Sequence, residues 1–309
     1  MRHMRVLELV DTVARAGSVR RAAERLNFNA SALTRRIQDL ETELDAKLFE
    51  RTARGMRLTA AGELFVAHAR QQLAETERLK SGLEDLRGVR RGLVRIACSQ
   101  AVALEFLPKA VGAFRQRYPQ IDFDVRVADH EQAERALSSY EVDLVLVFSP
   151  TPLLNFQHLA TLEQRLAALM PAGHPLAEES SLRLRSCAAF PSALPDRSTG
   201  GRQLLDAFSA RTGVQFDAVV ESNSFEMLRQ SVVHSGLLSF QIEVGAPVEG
   251  VGSGIVVRPI DRRDAPAADL VFGQLRGRNL PVSSAVFAEH VIDAMERVRG
   301  SRRQAGKRR

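Results

Sequence analysis

Residues 18–62 read SVRRAAERLNFNASALTRRIQDLETELDAKLFERTARGMRLTAAG, and no other stretch constrains the fold as tightly. Ser18 to Leu26 places Ala22, Ala23 and Leu26 on one face of a short helix. Ser18 is an N-cap type, its hydroxyl suited to accept an orphaned amide proton. Asn27, Phe28 and Asn29 break the period, and Asn29 is the cap type for a second helix. That helix is expected to bury Leu33, Ile37, Leu40 and Leu44, spaced i, i+4, i+7 and i+11. Advancing about 100° per residue, it turns Ser31, Arg35, Gln38 and Thr42 to the opposite side, flanked by Thr34 and Arg36. Two short helices, a tight turn and a basic outer face describe a helix-turn-helix whose second helix enters the DNA major groove.

Phe49 to Thr59 follows, with Arg51, Arg54 and Arg57 around Gly55 and apolar residues on either side. This suits a small hairpin wing whose arginines reach phosphates. For any one of these pieces alone, a solvated basic surface is the plainer explanation. Helix, turn, helix and basic hairpin in succession favour DNA binding.

The order Ser-x-x-x-Ala-Ala-Glu-Arg-Leu from Ser18, Ala-Leu-Thr-Arg-Arg-Ile from Ala32, Leu-Glu-x-x-Leu from Leu40, Leu-Phe-Glu-Arg-Thr from Leu48 and Leu-Thr-x-Ala-Gly from Leu58 resembles the N-terminal region of LysR-type transcriptional regulators. Where that family usually carries Gln-Pro at the start of the recognition helix, this chain has Ala30-Ser31. Glutamine reads adenine bidentately and alanine does not, so the base preference is this chain's own. The expected DNA-binding residues are Ser18, Asn29, Ala30, Ser31, Thr34, Arg35, Arg36, Gln38, Arg51, Arg54 and Arg57.

The chain has 309 residues, enough for a small domain and a larger one. No apolar run approaches the ~20 residues of a membrane span, and the N-terminus lacks a secretory h-region. A cytoplasmic location is expected, without membrane contact. Cys98 and Cys187 form no CxxC pair and the histidines lack ligand spacing, so no metal or other cofactor is expected. Residues 1–90 hold 17 Lys+Arg against 13 Asp+Glu, while residues 91–298 hold 20 against 24. A basic head on an acidic body suits a module that meets DNA at one end. Residues 299–309 add six basic and no acidic side chains, and read as a basic disordered tail.

From Thr59 to Leu86 no proline interrupts, and Phe65, Ala69, Leu73, Thr76, Leu79, Leu83 and Leu86 recur at spacings of three and four. This is a heptad-like seam on one long helix, which needs a partner surface. The partner is either the chain's own body or the same helix of a second copy. A helix-turn-helix commonly reads two half-sites as a symmetric pair, which favours dimerisation through Phe65, Ala69, Leu73, Leu79, Leu83 and Leu86. The family resemblance implies the same use of this linker.

After Gly92 the pattern becomes strands alternating with helices. Strands are expected at Leu93 to Cys98, Ile121 to Val127, Asp143 to Phe148, Leu166 to Met170, Ala218 to Val220, Leu237 to Ile242 and Ile255 to Ile260. Helices are expected at Ala101 to Tyr118 and Glu131 to Ser139. Such units build an open α/β sheet. LVRI, FLP, YP and DLVL in this order, with the later VVESNSFEMLRQSV, resemble the effector-binding domain of the same family. The resemblance implies two α/β halves joined by two crossing strands, as in periplasmic solute-binding proteins. The expected domains are a winged helix-turn-helix at 1–62, a linker helix at 63–90, and an effector-binding domain at 91–298. Its first half is about 91–162 plus 268–298, its second about 163–267, with the tail at 299–309.

Ligands of open α/β sheets sit beyond the carboxyl ends of the strands, where helix N-termini offer free amides. Ser99, Gln100, Phe148, Ser149, Ser198, Thr199, Ser222 and Ser224 meet that condition, although serine and threonine are also everyday helix caps. Arg197 and Arg202 border one of these loops and point to a small carboxylate, with an aromatic metabolite as the other class. Cys98 at a strand end reads as a small buried hydrophobe rather than a redox sensor.

No phosphate loop, nucleophile elbow or paired-carboxylate motif marks an enzyme. The expectation is a ligand-responsive regulator acting on double-stranded DNA at an imperfect inverted repeat near a promoter. A homodimer or dimer of dimers would bind there, with RNA polymerase a candidate partner. The rivals are an effector-independent DNA-binding protein and a cytoplasmic small-molecule binding protein.

Overall fold

The computed structural model describes residues 2–53, 55–86, 91–148, 152–247 and 254–307. It divides into two compact units, Met1–Arg87 and Gly88–Arg309.

The first unit runs α1 (Arg2–Ala16), α2 (Val19–Arg25), α3 (Ala30–Glu43), the hairpin β1 (Phe49–Thr52) and β2 (Gly55–Leu58), then α4 (Ala60–Leu86). Ser18 caps α2 by accepting from the Arg21 amide. Asn29 Oδ1 caps α3, accepting from Ser31 at 2.9 Å and Ala32 at 3.2 Å. The core joins Leu9, Val10 and Val13 of α1 to Ala22 and Ala23 of α2, Leu33 and Ile37 of α3, and Val66 of α4. Helix α1 went unread in the sequence, although Leu9, Val10, Val13 and Ala16 share its buried side. It is tied to α4 by Arg70 Nε, 2.5 Å from Asp11 Oδ1, while Arg15 holds the other carboxylate oxygen at 2.7 Å.

Two expectations about these helices need correction. Leu44 is the C-cap of α3 and lies 43% exposed, because the helix ends before its fourth apolar position turns inward. The inward position next to it is taken by Glu41. On α4, Ala69 is fully buried within the unit and Phe65 packs against the same core. Leu79 and Leu83 are 63% and 49% exposed. The seam is therefore divided, its start covered by the chain itself and its later leucines open. Leu86 ends α4, and its side chain lies outside the described residues. So do residues 87–90 of the expected linker.

The second unit begins with β3 (Gly92–Cys98), α5 (Gln100–Ala103), α6 (Phe106–Arg117), β4 (Ile121–Val127), α7 (His130–Ser138), β5 (Leu144–Phe148) and β6 (Phe156–Gln164). It continues with β7 (Leu166–Pro171), α8 (Leu184–Cys187), β8 (Ser192–Pro195), α9 (Gly200–Thr212), β9 (Ala218–Ser222), α10 (Phe225–Ser235) and β10 (Leu238–Ile242). It closes with β11 (Ile255–Pro259), β12 (Ala268–Leu275) and α11 (Val282–Lys307). These strands form two five-stranded sheets, ordered β4-β3-β5-β12-β6 and β11-β7-β10-β8-β9. The chain leaves the first sheet at β6, enters the second at β7 with only Arg165 between, and returns through β12. In the first sheet β3 is parallel to β4 and β5, whereas β12 is antiparallel to β5 and β6. Parallel strands send their carboxyl ends, and the helices that follow, to one side.

The single helix expected at Ala101 to Tyr118 is two, α5 and α6, broken at Leu104 and Glu105. Residues 299–307, expected as disordered tail, continue α11 through Lys307. Once a helix is nucleated, each further residue without proline extends it at small cost. Residues 308 and 309 lie outside the described residues. Among the described residues no helix is long and apolar enough to cross a membrane.

Just before β5 a buried ion pair joins the two segments of the first half. Arg278 Nη2 lies 2.6 Å from Asp143 Oδ1, with the two side chains 6% and 1% exposed. Arg278 Nη1 donates to the Val142 carbonyl at 2.9 Å, and Ser284 donates to the other oxygen of Asp143 at 3.1 Å. Breaking one partner leaves an uncompensated charge in the interior. Asp143→Ala is expected to cost about 3–5 kcal/mol, whereas replacing both partners with apolar residues costs far less. Urea unfolding followed on the single and double variants checks this; an unchanged midpoint for Asp143→Ala contradicts it.

Candidate functional site

On the first unit, the exposed side of α3 carries Ser31, Arg35, Arg36 and Gln38. Thr34 is half-buried, and its hydroxyl donates to the Ala30 carbonyl at 2.9 Å. Ala30 itself packs at the margin of the core. Asn29 and Ser18 serve as the caps of α3 and α2. Arg35 and Arg36 make no ion pair among the described residues, which leaves their guanidinium groups available to phosphate or base edges.

In the wing, Phe49 pairs with Leu58, Glu50 with Arg57 and Arg51 with Met56. Directly opposed residues share a face. Arg57 therefore stands with Glu50 on the outer face, while Arg51 shares the face of Phe49, Met56 and Leu58, which packs on the core. The two arginines leave the hairpin on opposite faces, and both are exposed. Arg54 lies outside the described residues. The hairpin is anchored to the turn after α1, where the Met56 amide donates to the Gly17 carbonyl at 2.9 Å. Gly55, at φ 122°, has no room for a Cβ against that same carbonyl.

Glu41 fixes the other end of the wing. Its Oε1 accepts from the Leu48 amide at 2.9 Å and the Phe49 amide at 3.2 Å, and Lys47 Nζ lies 2.8 Å from Oε2. Burial works to raise its pKa, but the Lys47 contact and the two amides outweigh it and hold the carboxyl below its usual value of 4.5. Sequence reasoning missed this residue, and the signal was a carboxylate at an inward helical position just before an apolar strand.

In the second unit a cavity of about 120 Å³ opens between the two sheets. Ser99 and Gln100 line it after β3, with Phe148 at the end of β5 and Ser198 and Thr199 before α9. Val127, Asp129 and His130 contribute from the end of β4 and the start of α7, and Asn223 and Phe225 from the start of α10. Helices α7, α9 and α10 thus begin at this cavity, each with its N-cap engaged. Asp129 accepts from Gln132 at 2.7 Å, Thr199 from Arg202 at 3.3 Å and Ser224 from Met227 at 3.3 Å. Their first-turn amides and dipoles favour negative charge.

Several expected contacts take other roles. Ser222 and Ser224 do not line the cavity; Ser224 caps α10, and Ser222 Oγ accepts from the Ser224 amide at 3.1 Å. Asn223 between them faces it instead. Ser99 does not cap α5 with its side chain; its hydroxyl accepts from the Phe148 amide at 3.4 Å. Ser149 lies outside the described residues. Arg202 is turned away from the cavity and buried, 2.8 Å from Asp206, 2.9 Å from Glu221 and 2.9 Å from the Pro195 carbonyl. Arg197 is exposed and does not line the cavity. The case for a carboxylate therefore passes from these arginines to the helix N-termini. Cys98 is fully buried and its thiol is pushed up to about 12 by burial, so it stays protonated.

One edge of the cleft is clasped. Arg229 on α10 reaches Glu105, Nη1 to Oε1 3.4 Å, and donates to the Gly245 carbonyl. Gln241 Nε2 donates to Gly245 at 2.6 Å and to the Ala101 carbonyl at 3.4 Å. A Cβ on Gly245 would collide with that Ala101 carbonyl, so only glycine permits the approach.

Two family models match this chain. The bacterial regulatory helix-turn-helix protein model of the lysR family covers residues 4–63, and the LysR substrate binding domain model covers residues 87–296. The RuBisCO operon transcriptional regulator of Allochromatium vinosum is 32% identical over 237 residues, covering 76% of this chain and 77% of that protein. Full-length CbnR, solved in complex with its target DNA, is 19% identical, with a TM-score of 0.62 over 94% of this chain and 99% of that one. The CcmR regulatory domain from Synechocystis, solved with 2-PG, is 22% identical, with a TM-score of 0.58 over 66% of this chain and 98% of that one.

Because its pKa is depressed in the fold, Glu41 contributes stability that is present above its unfolded value and lost as pH falls through the lower, folded one. Between about pH 6 and about pH 3, the wild-type chain is expected to lose more thermal stability than Glu41→Gln. Melting curves across that range check it, and parallel pH profiles for the two proteins contradict it.

Proposed function

The chain belongs to the LysR family of bacterial transcriptional regulators, and from that premise we propose that it reads DNA with α3 and its wing and answers to a small organic acid held between its two sheets. The observation that carries the second part is the cavity itself, at which α7, α9 and α10 all begin and into which neither Arg197 nor Arg202 reaches. Amides at helix N-termini supply anion binding without a fixed side-chain charge. Phe148, Phe225 and Phe240 give the cavity an apolar wall for the rest of the molecule.

The same reading places Ser31, Arg35 and Gln38 against base edges, with Arg36 and Arg57 on phosphates. Exposed Leu79 and Leu83 on α4 suit pairing with the same helix of a second copy, which matches a two-fold DNA site. Such a dimer works where its DNA is, in the cytoplasm. The acid acts through its different affinity for the arrangements of the dimer, which shifts their populations.

Two experiments test the halves of this reading separately. Arg35→Ala is expected to cost about 1–3 kcal/mol on the preferred site and to relax base preference there, whereas Arg57→Ala weakens all sequences alike and lowers the salt dependence. Titration of DNA at several salt concentrations separates the two; unchanged affinity in both folded variants removes α3 and the wing from the interface. Ser99→Ala is expected to blunt the transcriptional response to the effector while DNA binding stays near wild type. A normal response at normal effector concentration shows that the Ser99 hydroxyl serves only the Phe148 amide.

A further inference from the structure

Resting on the reading of α3 as the helix that meets DNA, we infer that Arg5 and Asn29 form a phosphate seat beside it, with Phe28 holding the arginine in place. Arg5 belongs to α1, outside both the recognition helix and the wing.

Packing brings α1 against the turn that leads into α3. Asn27 adopts φ 48°, in the left-handed region that asparagine tolerates, and the next amide, that of Phe28, donates back to the Ala23 carbonyl at 2.9 Å. The turn sets Phe28 against the core that α1, α2 and α3 share. Arg5 is exposed, and its guanidinium carbon stands 5.8 Å from the centre of the Phe28 ring. A guanidinium at that distance is attracted to the ring. Arg5 makes no ion pair among the described residues, in contrast to Arg15 and Arg70, which share Asp11. Its charge is therefore positioned without being neutralised, and a group fixed in advance loses less freedom on binding than a loose one.

Asn29, the residue after Phe28, is exposed and supplies a second donor. Its Oδ1 accepts from both the Ser31 and the Ala32 amides, which turns Nδ2 away from them. Bidentate reading of adenine needs the acceptor as well as the donor, and here the acceptor is spent on the cap. Asn29 is left to donate, and phosphate oxygens accept from asparagine and arginine alike. A recognition helix meets base edges with its N-terminal residues, so the turn just before it stands where the groove gives way to the backbone. Phosphate contacts at that point carry no base information; they fix the register and tilt of α3 on the duplex.

The test titrates the full-length chain with duplex DNA from upstream of its own coding sequence, and with an unrelated duplex, at several salt concentrations. Arg5→Ala is expected to weaken both duplexes by at least about tenfold at low salt and to lower the salt slope by about 0.9. Asn29→Ser keeps a comparable N-cap but gives up the amide donor. It is expected to melt near wild type and to bind both duplexes about fivefold more weakly, with the salt slope unchanged. A purely structural role for Asn29 predicts wild-type affinity instead. Arg35→Ala, run alongside, reports on α3 itself. Wild-type binding by either Arg5→Ala or Asn29→Ser, with Arg35→Ala weakened, overturns the seat and leaves the reading of α3 standing. Wild-type binding by all three folded variants overturns both.

Discussion

The second unit depends on the chain passing twice between its two sheets. At the first passage β6 gives way to β7 across a single residue, Arg165, and at the second the chain returns from β11 to β12. The second half is one continuous piece of sequence set into the first, whose sheet is completed only when the chain returns to supply β12. The first passage is pinned by the turn after β10, where the Val244 amide donates to Gln164 Oε1 at 3.0 Å and Glu243 pairs with Arg165 at 2.6 Å. Short connections of this kind between two sheets are where a hinge motion is absorbed when one occurs. The cavity lies where helices of both halves begin, so under the proposed function a ligand that touches both halves acts on their relative position. The contacts of Arg229 and Gln241 with Glu105 and Ala101 also tie the two halves together.

In the first unit the same economy appears at smaller scale. Its core is assembled from one face of each helix and the inner face of a two-stranded hairpin. A hairpin of this size is marginal alone. It is held at one end by Glu41 accepting two of its amides and at the other by the Gly17 carbonyl. Those bonds leave the outer face, with Arg57, free of structural duty, and leave Arg35 and Arg36 on the open side of α3. What is left open for DNA is therefore what the packing does not use.

The helix-turn-helix and the parallel strands were legible because their signals are local. Caps at Ser18 and Asn29, the spacing of Leu33 and Ile37, and the apolar run of β5 each stand within one segment. Strands β6, β8 and β12 were not read, since β6 and β12 are held by antiparallel partners far away in sequence, and β8 is only four residues long. The break between α5 and α6 is likewise tertiary, set by Ala101 and Glu105 engaging residues more than a hundred positions later. Among site residues, the lone loop serines divided into those that line the cavity and those that cap helices, a distinction sequence cannot draw. Arg202 was misread for a related reason, because its partners Asp206 and Glu221 satisfy it within its own half. Glu41 was missed because its importance lies in burial, and a charged residue on a helix reads by default as solvated.

The central claim is that occupancy of the cleft and engagement of DNA are linked through the hinge. Linkage is reciprocal for binding free energies, so it can be read from either end. The most direct measurement is the affinity of the full-length chain for its effector acid, with and without saturating DNA from upstream of its own coding sequence. It is paired with the affinity for that DNA with and without the acid. The account predicts that both ratios differ from one and agree with each other. Two ratios of one, with both ligands binding, would show a cleft and a DNA-binding unit that share a chain but not a function.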